Sequence, residues 1–188
     1  MIKNKADLQY YINEDKKLYP HFYWYDYFFS KTKYLILKYL ILLRKSEYAL
    51  NCQANKKGFL GKFGKLKVLY YHYRMRKLGF KLGFQFYENV LGPGVQIYSF
   101  GPIIINPGAR IGKNCTIYPG VVIGGKNNGC PHIGDNCFIG LGAKVLGGVK
   151  IGNNVLIAPN AVVVKDIPDN HVVGGVPAKT IKIKEISK

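Results

Sequence analysis

The sequence predicts a mainly β fold with an α-helical N-terminal part, and two observations carry this prediction. From residue 91 onward, aliphatic residues recur every six positions, with Gly, Asn and Asp crowded between them. Up to about residue 82 the chain is instead rich in Tyr, Lys and Leu, and its apolar residues follow helical spacing. We therefore expect a helical N-terminal domain over residues 1–82 and a β domain with a C-terminal tail over residues 83–188.

The six-residue repeat indicates how the β part is built. If each hexad forms one short strand and one turn, three hexads complete a coil, and successive coils stack on one another. The aliphatic residue of each hexad then points into a three-sided prism, while Gly, Asn and Asp supply the turns. We expect four to five coils, with an inward ladder made of Ile105, Ile111, Ile117, Ile123, Ile133, Ile139, Val145, Ile151, Ile157 and Val163.

Two interruptions break the repeat. Ile97 and Ile103 are six residues apart, but the next series of six-residue steps starts at Ile105, so the count slips by two residues in FGPIII. A ten-residue step separates Ile123 from Ile133. Extra residues cannot enter the stacked core, so the longer step predicts a projecting loop, where scaffolds of this kind place function. The slip is consistent either with a plain structural bulge or with a functional site.

Helical spacing in the N-terminal part fits residues 5–18, 32–53 and 65–82. In the second helix, an apolar stripe flanked by Lys and Arg contains Leu35, Tyr39, Leu42, Leu43 and Leu50. This stripe predicts packing in the core or against another subunit. The alternative is peripheral contact with a membrane, to which the aromatic segment 21–29 would add.

The net charge of +18 is concentrated in the first half of the chain. Residues 1–90 carry 18 basic and 6 acidic side chains, whereas residues 91–188 carry 10 and 4. Such a field attracts polyanions in general, including anionic lipid headgroups and phosphorylated cofactors. Nucleic-acid binding would rest on net charge alone, and we expect none.

The four cysteines have no regular spacing, which predicts free thiols and no metal site. The first residues lack the apolar run of a signal peptide, and the longest apolar stretch, residues 34–43, is too short to span a bilayer. We therefore expect a cytoplasmic location, with contact to the inner face of the membrane as a possible addition.

The hexads, followed by GVPAK at 175–179, closely resemble those of the left-handed parallel β-helix (hexapeptide-repeat) acyltransferases. The resemblance is closest to the serine O-acetyltransferase group and its relatives in capsular polysaccharide synthesis, and it covers roughly residues 83–182. The segments IGLGAKVLGGVKIG, APNAVVVKDIP and GGVPAK arrive in the expected order. The resemblance implies a left-handed β-helix and a homotrimer, with acetyl-CoA as the acyl donor between neighbouring subunits.

The same resemblance suggests where the donor would lie. Small residues that let a pantetheine arm approach the backbone would line its path: Gly124, Gly125, Gly142, Ala143 and Ala161. Lys179 and Lys182 would contact the phosphates of CoA.

The catalytic histidine of the family and the carboxylate that orients it are both missing. When the chain is aligned on Ile103 to Ile105, the histidine position is Ser99 and the carboxylate position falls near Phe84. A serine hydroxyl is far too weak a base at neutral pH, and phenylalanine cannot anchor an imidazole. Ser99 therefore occupies the catalytic position without the usual chemistry.

A second family histidine, which contacts the acceptor from the projecting loop, corresponds to Cys130. His132 lies two residues on and would face the same way in an extended segment. We consider His132 either a substitute base or an exposed loop residue. Three carboxylates could orient it: Glu88, Asp135 and Asp166. The remaining histidines have no setting that favours catalysis: His21, His72 and His171.

Three functions remain open on these grounds. The leading hypothesis is transfer of an acetyl group from acetyl-CoA to a hydroxyl of a sugar, such as a surface polysaccharide precursor, or of an amino acid. The basic N-terminal half favours an anionic or lipid-linked saccharide. The contrasting hypothesis is a non-catalytic trimeric β-helix scaffold or binding protein that has lost its base. Serine O-acetylation is a further alternative, which Ser99 and Phe84 disfavour.

Overall fold

The computed structural model describes residues 1–19, 31–54, 57–127 and 129–185. Three helices make up the described N-terminal part: α1 (Lys5–Lys17), α2 (Lys31–Tyr48) and α3 (Gly58–Leu82), with a π-helical turn (Ala49–Gln53) directly after α2. None of these helices is long and apolar enough to cross a bilayer. The aromatic segment 21–29 lies outside the described residues.

Short strands follow α3 and form three parallel sheets, which we call faces A, B and C. Face A contains β1 (Phe84–Gln85), β3 (Ile103–Ile105), β6 (Val122–Gly124), β9 (Lys144–Leu146) and β12 (Val162–Val163). Face B contains β4 (Arg110–Ile111), β7 (His132–Ile133) and β10 (Lys150–Ile151). Face C contains β2 (Gln96–Ile97), β5 (Thr116–Ile117), β8 (Phe138–Ile139), β11 (Leu156–Ile157) and β13 (His171–Gly174), to which the antiparallel strand β14 (Lys179–Ile183) is added.

Successive coils pair in register, as the repeat predicts. On face A, Ile105 lies opposite Ile123, Ile123 opposite Val145, and Val145 opposite Val163. Isolated bridges at both ends of face B bring its rungs to five, which equals the number on face A. The predicted ladder is confirmed, because each of its residues is at most 4% exposed.

Asparagines occupy the turns that require a left-handed backbone. At the corner between faces B and C, Asn114, Asn136 and Asn154 have φ values of 56° to 57°. The side chains also stack: Asn114 Nδ2 donates to Asn136 Oδ1 at 3.3 Å. Asparagine tolerates this conformation better than most residues, which explains its recurrence between the aliphatic positions.

Helix α3 begins at Gly58, seven residues before the start predicted from helical spacing. The glycines at 61 and 64 lower the helix propensity of this stretch, but both lie on the buried side of the helix. A Cβ on Gly64 would come within 2.4 Å of the Gln53 carbonyl group. These glycines therefore let α3 pack closely against the preceding turn, and this need outweighs their low helix propensity.

The apolar stripe of α2 packs in the core, which confirms the first of its two interpretations. Tyr39 and Leu43 are buried, together with Ile36 and Leu40. Leu50, however, is 38% exposed and does not belong to the packed face. The π-helical turn after Tyr48 shifts the phase of the helix, so Leu50 rotates away from the core.

Arg44 of α2 joins the helical part to the first coil. Its side chain is fully buried; Nε lies 2.9 Å from Asp15 Oδ2, and Nη1 lies 3.1 Å from Glu47 Oε2. The guanidinium also donates to the carbonyl oxygens of Leu91 and Gly92, at 2.8 and 2.6 Å. Burial by itself lowers the pKa of Arg44, but the carboxylates of Glu47 and Asp15 raise it by more, so the group stays charged.

This cluster caps the open end of the β-helix. Asp15 Oδ1 accepts a hydrogen bond from the Gly94 amide, and the Tyr19 hydroxyl bonds to both the amide and the carbonyl of Ile97. In later coils such backbone groups pair with a preceding coil, which the first coil lacks. The helices therefore satisfy an edge that would otherwise expose unpaired strand groups.

We expect Arg44→Met to lower the free energy of unfolding by about 3–5 kcal/mol, because it leaves two carboxylates buried without a counter-charge. Urea unfolding followed by circular dichroism measures the change. Lys45→Met, at the adjacent exposed position, is the matched control and should change the free energy of unfolding by less than about 0.5 kcal/mol. Equal midpoints for the two variants would contradict the capping role of Arg44.

Candidate active site

The residues predicted to contact the acyl donor border face A. Gly124 and Gly125 lie at the end of β6, at the corner between faces A and B. Gly142, Ala143 and Ala161 lie at the opposite margin, at the corner between faces C and A. Lys144 N donates to Ala161 O at 2.8 Å, so the 18-residue spacing does place Ala143 and Ala161 on successive coils.

The alanines and Gly124 of this border differ in how accessible they are to a ligand. Ala143 and Ala161 are fully buried, and their methyl groups belong to the core of the prism. The amide of Ala143 donates to Gly140 O, and its carbonyl accepts from Val122 N. Gly124 faces outward, and a Cβ there would meet only the end of the Leu146 side chain, at 3.2 Å. Gly124 therefore leaves open space on face A.

The segment that contains the two-residue slip packs against the C-terminal end of α3. Gly101 N donates to Leu82 O at 2.9 Å, and a Cβ on Gly83 would lie 2.8 Å from the Gly101 carbonyl. Ser99 lies in this bulge at the corner between faces C and A, where it is half-buried. Its hydroxyl has no hydrogen-bond partner within the described parts of the chain, so the slip has a clear packing role but provides no base.

Phe84, at the family's carboxylate position, is part of the core. It is 7% exposed and packs edge-to-face on Tyr39, with ring centroids 5.3 Å apart. Phe86 stacks beside it at 5.5 Å. Aromatic side chains of α2 and the first coil thus fill the end of the prism that the helices cap. Phe84 cannot orient an imidazole there.

The projecting loop predicted from the ten-residue step is present, and it is compact. Lys126 and Gly129 exchange two backbone hydrogen bonds, at 2.9 and 2.8 Å. Cys130 Sγ lies 3.3 Å from Asn106 Oδ1, at the base of the loop. The loop therefore stays close to the corner between faces A and B.

His132 lies on face B, between Arg110 and Lys150 of the adjacent coils. It is exposed, and its ring makes no hydrogen bond with any residue that the structure describes. The three predicted orienters are engaged elsewhere: Glu88 with His72, Asp135 with the amide of Lys113, and Asp166 with the amide of Lys150. Within one chain, His132 is therefore on a different face from the predicted donor residues.

The structure instead brings His72 to a carboxylate. His72 Nδ1 lies 2.9 Å from Glu88 Oε1, and the Ser46 hydroxyl donates to the same oxygen at 2.7 Å. Burial by itself would raise the pKa of Glu88, but these two hydrogen bonds lower it below its usual value. Glu88 is thus ionised at neutral pH and can hold the imidazole in one orientation.

A cavity of about 270 Å³ opens beside this pair, at the top of face A. Its walls include His72, Arg76, Phe80, Gln85 and Tyr87. Sequence reasoning missed this histidine because His72 and Glu88 come from different elements, and only the packing of α3 on the first coil joins them. The other histidines offer no comparable arrangement: His171 Nδ1 bonds to the carbonyl of Asp169, and His21 lies outside the described residues.

Lys179 and Lys182 are exposed on β14, beyond the last coil. Ala178, the residue before β14, anchors this strand because its amide donates to Val162 O at 2.8 Å. Lys179 therefore lies near the lower end of face A, close to Ala161. The described residues contain no cluster of His, Cys, Asp or Glu that could hold a metal ion, and no disulfide joins the four cysteines.

Comparison with known proteins agrees with this architecture. Residues 130–165 match the family described as bacterial transferase hexapeptide (six repeats). This segment of the chain therefore carries the hexapeptide repeats of that family. The predicted fold class, a left-handed parallel β-helix of four to five coils behind a helical part, is confirmed by the five-rung faces and by the solved structures that share the fold.

The similar proteins are serine acetyltransferases. The enzyme of Mycobacterium tuberculosis is 44% identical over 96 residues, which are 49% of this chain and 42% of that protein. The crystal structure of Neisseria gonorrhoeae serine acetyltransferase has a TM-score of 0.70 at 25% identity, covering 97% of this chain and 68% of that one. The Brucella abortus serine acetyltransferase in complex with coenzyme A has a TM-score of 0.65 at 22% identity, covering 96% and 68%. The chain spans about two fifths of the length of the curated relatives it matches.

Proposed function

We propose that this hexapeptide-repeat protein transfers an acetyl group from acetyl-CoA to a hydroxyl group of an acceptor. The observation that carries the proposal is the 44% identity to a serine acetyltransferase over 96 residues, and the open space at Gly124 on face A adds to it. A related structure of the same fold is a complex with coenzyme A, and acetyl-CoA is the corresponding donor. Location in the cytoplasm and membrane contact of the basic N-terminal half are parts of this proposal.

Assembly as a homotrimer is supported by the outer surface of face A. Three aliphatic side chains are exposed there: Ile104 at 42%, Leu146 at 36% and Val164 at 46%. A neighbouring subunit placed against this face would bury them and convert the open face into a cleft. Such a contact is also the way in which His132 of face B could approach the donor residues of face A.

The transfer requires a base. The acceptor oxygen attacks the thioester carbonyl as the base removes its proton; the carbon–sulfur bond then breaks, and CoA leaves as the thiol after protonation. Ser99 cannot serve, and among the described residues of its own chain His132 has no carboxylate that orients it. The pair of His72 and Glu88 is the better-oriented candidate, since it lies beside a cavity at the top of face A.

The acceptor that fits this arrangement is an anionic or lipid-linked saccharide. The cavity beside His72 is lined by Arg76 and several aromatic rings, and the helical part that encloses it carries most of the positive charge. An anionic group on the acceptor would be attracted to this side of the molecule. Free serine remains a further candidate, since the relatives are serine acetyltransferases.

The direct test is incubation with acetyl-CoA and a panel of hydroxyl acceptors, including serine and acidic oligosaccharides, while free thiol release is followed. We expect release that depends on the acceptor. If acetyl-CoA does not bind in calorimetry, the non-catalytic scaffold becomes the better interpretation and the proposed activity fails.

We expect Gly124→Ala to raise the KM for acetyl-CoA several-fold with little change in stability. The added methyl group would project onto face A and meet only the end of Leu146. Gly174→Ala on face C is the control for an added methyl group away from face A; its Cβ would meet the end of Ile181 at 2.8 Å and the Ala158 Cβ at 3.2 Å. A KM equal for both variants, measured from initial rates, would remove Gly124 from the donor site.

His72→Ala should lower kcat by about two orders of magnitude or more, the contribution expected of a general base. Glu88→Gln should lower kcat less, since it removes only the charge that orients the imidazole. His132→Ala tests the substitute base predicted from the sequence, and His171→Ala is the control that should have no effect. A full rate in His72→Ala, together with loss in His132→Ala, would assign the chemistry to His132 on face B.

A further inference from the structure

The outer face of α3 carries an apolar stripe that no part of the core explains. Six residues spaced three or four positions apart, with Lys77 in the one gap, form what we call the α3 stripe: Phe59, Phe63, Leu66, Tyr70, Tyr73 and Phe80. Phe59 and Phe80 are 81% and 91% exposed, and the other four are 51–61% exposed. This spacing keeps all six on one side of the helix, opposite the buried Gly61, Gly64 and Met75.

The charges on α3 all have one sign. Its 25 residues contain no Asp or Glu and seven basic residues, namely Lys62, Lys65, Lys67, Arg74, Arg76, Lys77 and Lys81. Some of them are held against the stripe itself: Lys67 Nζ lies 5.0 Å from the Phe63 ring centre, and Arg74 lies 5.6 Å from that of Tyr70. Apolar and cationic groups are thus presented together on one surface.

A groove between α2 and α3 continues this surface. Its volume is about 260 Å³, and among the described residues its walls include four cations and no carboxylate: Lys38, Arg74, Lys77 and Lys81. Leu42, Tyr73 and Leu78 are the other described residues of the lining. We call it the basic groove. Four convergent cations, with no counter-charge from the described part of the lining, favour an anionic occupant such as a phosphate group.

Together these features identify the kind of partner. A second copy of the chain would bring two helices of seven like charges together, which is unfavourable. A nucleic acid would satisfy the cations but would leave Phe59 and Phe80 in water. A bilayer with anionic headgroups satisfies both, because it offers an apolar layer beneath a layer of phosphates. We propose that the α3 stripe docks on an anionic lipid surface, with headgroup phosphates in the basic groove.

This inference specifies the membrane contact named with the proposed function, and it does not depend on acetyl transfer itself. It also differs from the membrane contact considered for the apolar stripe of α2, because Tyr39 and Leu43 of that stripe are buried in the core. Phe80 belongs both to the α3 stripe and to the wall of the cavity beside His72. A docked protein would therefore open this cavity next to the lipid surface, where a lipid-linked acceptor would be found.

The experiment is co-sedimentation of the full chain with vesicles at fixed ionic strength. One set contains phosphatidylcholine with 30% phosphatidylglycerol, and the other contains phosphatidylcholine alone. We expect binding to the anionic vesicles at least tenfold tighter than to the neutral ones, and weaker when salt is raised.

Two variants test the two parts of the surface. Phe59→Ser/Phe63→Ser/Leu66→Ser removes apolar groups of the α3 stripe, and Arg74→Gln/Lys77→Gln/Lys81→Gln removes cations of the basic groove. Each should weaken binding at least tenfold. The matched control, Lys113→Gln/Lys150→Gln/Lys165→Gln, removes the same charge from the β-helix and should change binding less than twofold. All these side chains are exposed, and unchanged circular dichroism spectra confirm that each variant is folded.

Three results would overturn the proposal. The first is no binding to the anionic vesicles. The second is an equal loss in the groove variant and the β-helix control, which would reduce the effect to net charge. The third is vesicle binding that the stripe variant leaves unchanged. If sedimentation velocity then shows a smaller assembly for this variant than for the wild type, the α3 stripe is a contact between subunits.

Discussion

The inward ladder of aliphatic side chains, with its hydrogen bonds between coils, is the constraint on which the rest of the structure depends. Each coil buries its apolar residue only if the next coil stacks on it in register, so the core grows in one dimension and extra residues must go outward. A stack of this kind has two ends. The helical part meets the first end through Arg44, Asp15 and Tyr19, which bond to backbone groups of the first coil. The helices are therefore part of the same core rather than an attached module, and one hydrophobic cluster runs from Tyr19 to Val173.

The cap also shapes the candidate site. Phe84 fills the position at which the resemblance to the acyltransferases places a carboxylate; α2 lays Tyr39 over the first coil there, and an aromatic cluster closes the prism. A charged side chain at that point would be buried without a partner. The same packing of helices on the first coil brings Glu88 to His72, outside the prism and beside a cavity. The chain thus combines a repeat that resembles an acetyltransferase with a histidine–carboxylate pair in a different place.

The exposed surfaces of face A and α3 together suggest one orientation of the molecule relative to a lipid surface. Face A presents exposed aliphatic residues suited to a subunit contact, and α3 presents aromatic and basic residues suited to anionic lipid. Phe80 lies where the second surface meets the cavity of His72. An enzyme arranged in this way would receive a water-borne donor along the prism and an acceptor from the lipid side. The concentration of positive charge in the first half of the chain then has a physical role and is more than a feature of composition.

The sequence by itself determined the β-helix, its inward residues, the number of its coils and the projecting loop, because a six-residue period and the sterics of Gly and Asn act locally. It also showed that Ser99 cannot be the base. Only the tertiary structure decided the start of α3, because glycine has low helix propensity and the close contact of Gly64 with Gln53 exists only in the folded chain. The pairing of His72 with Glu88, and the burial of one helical stripe but not the other, were likewise beyond the sequence. Each depends on contacts between residues far apart in the chain, and apolar spacing alone does not say which face of a helix will meet the core.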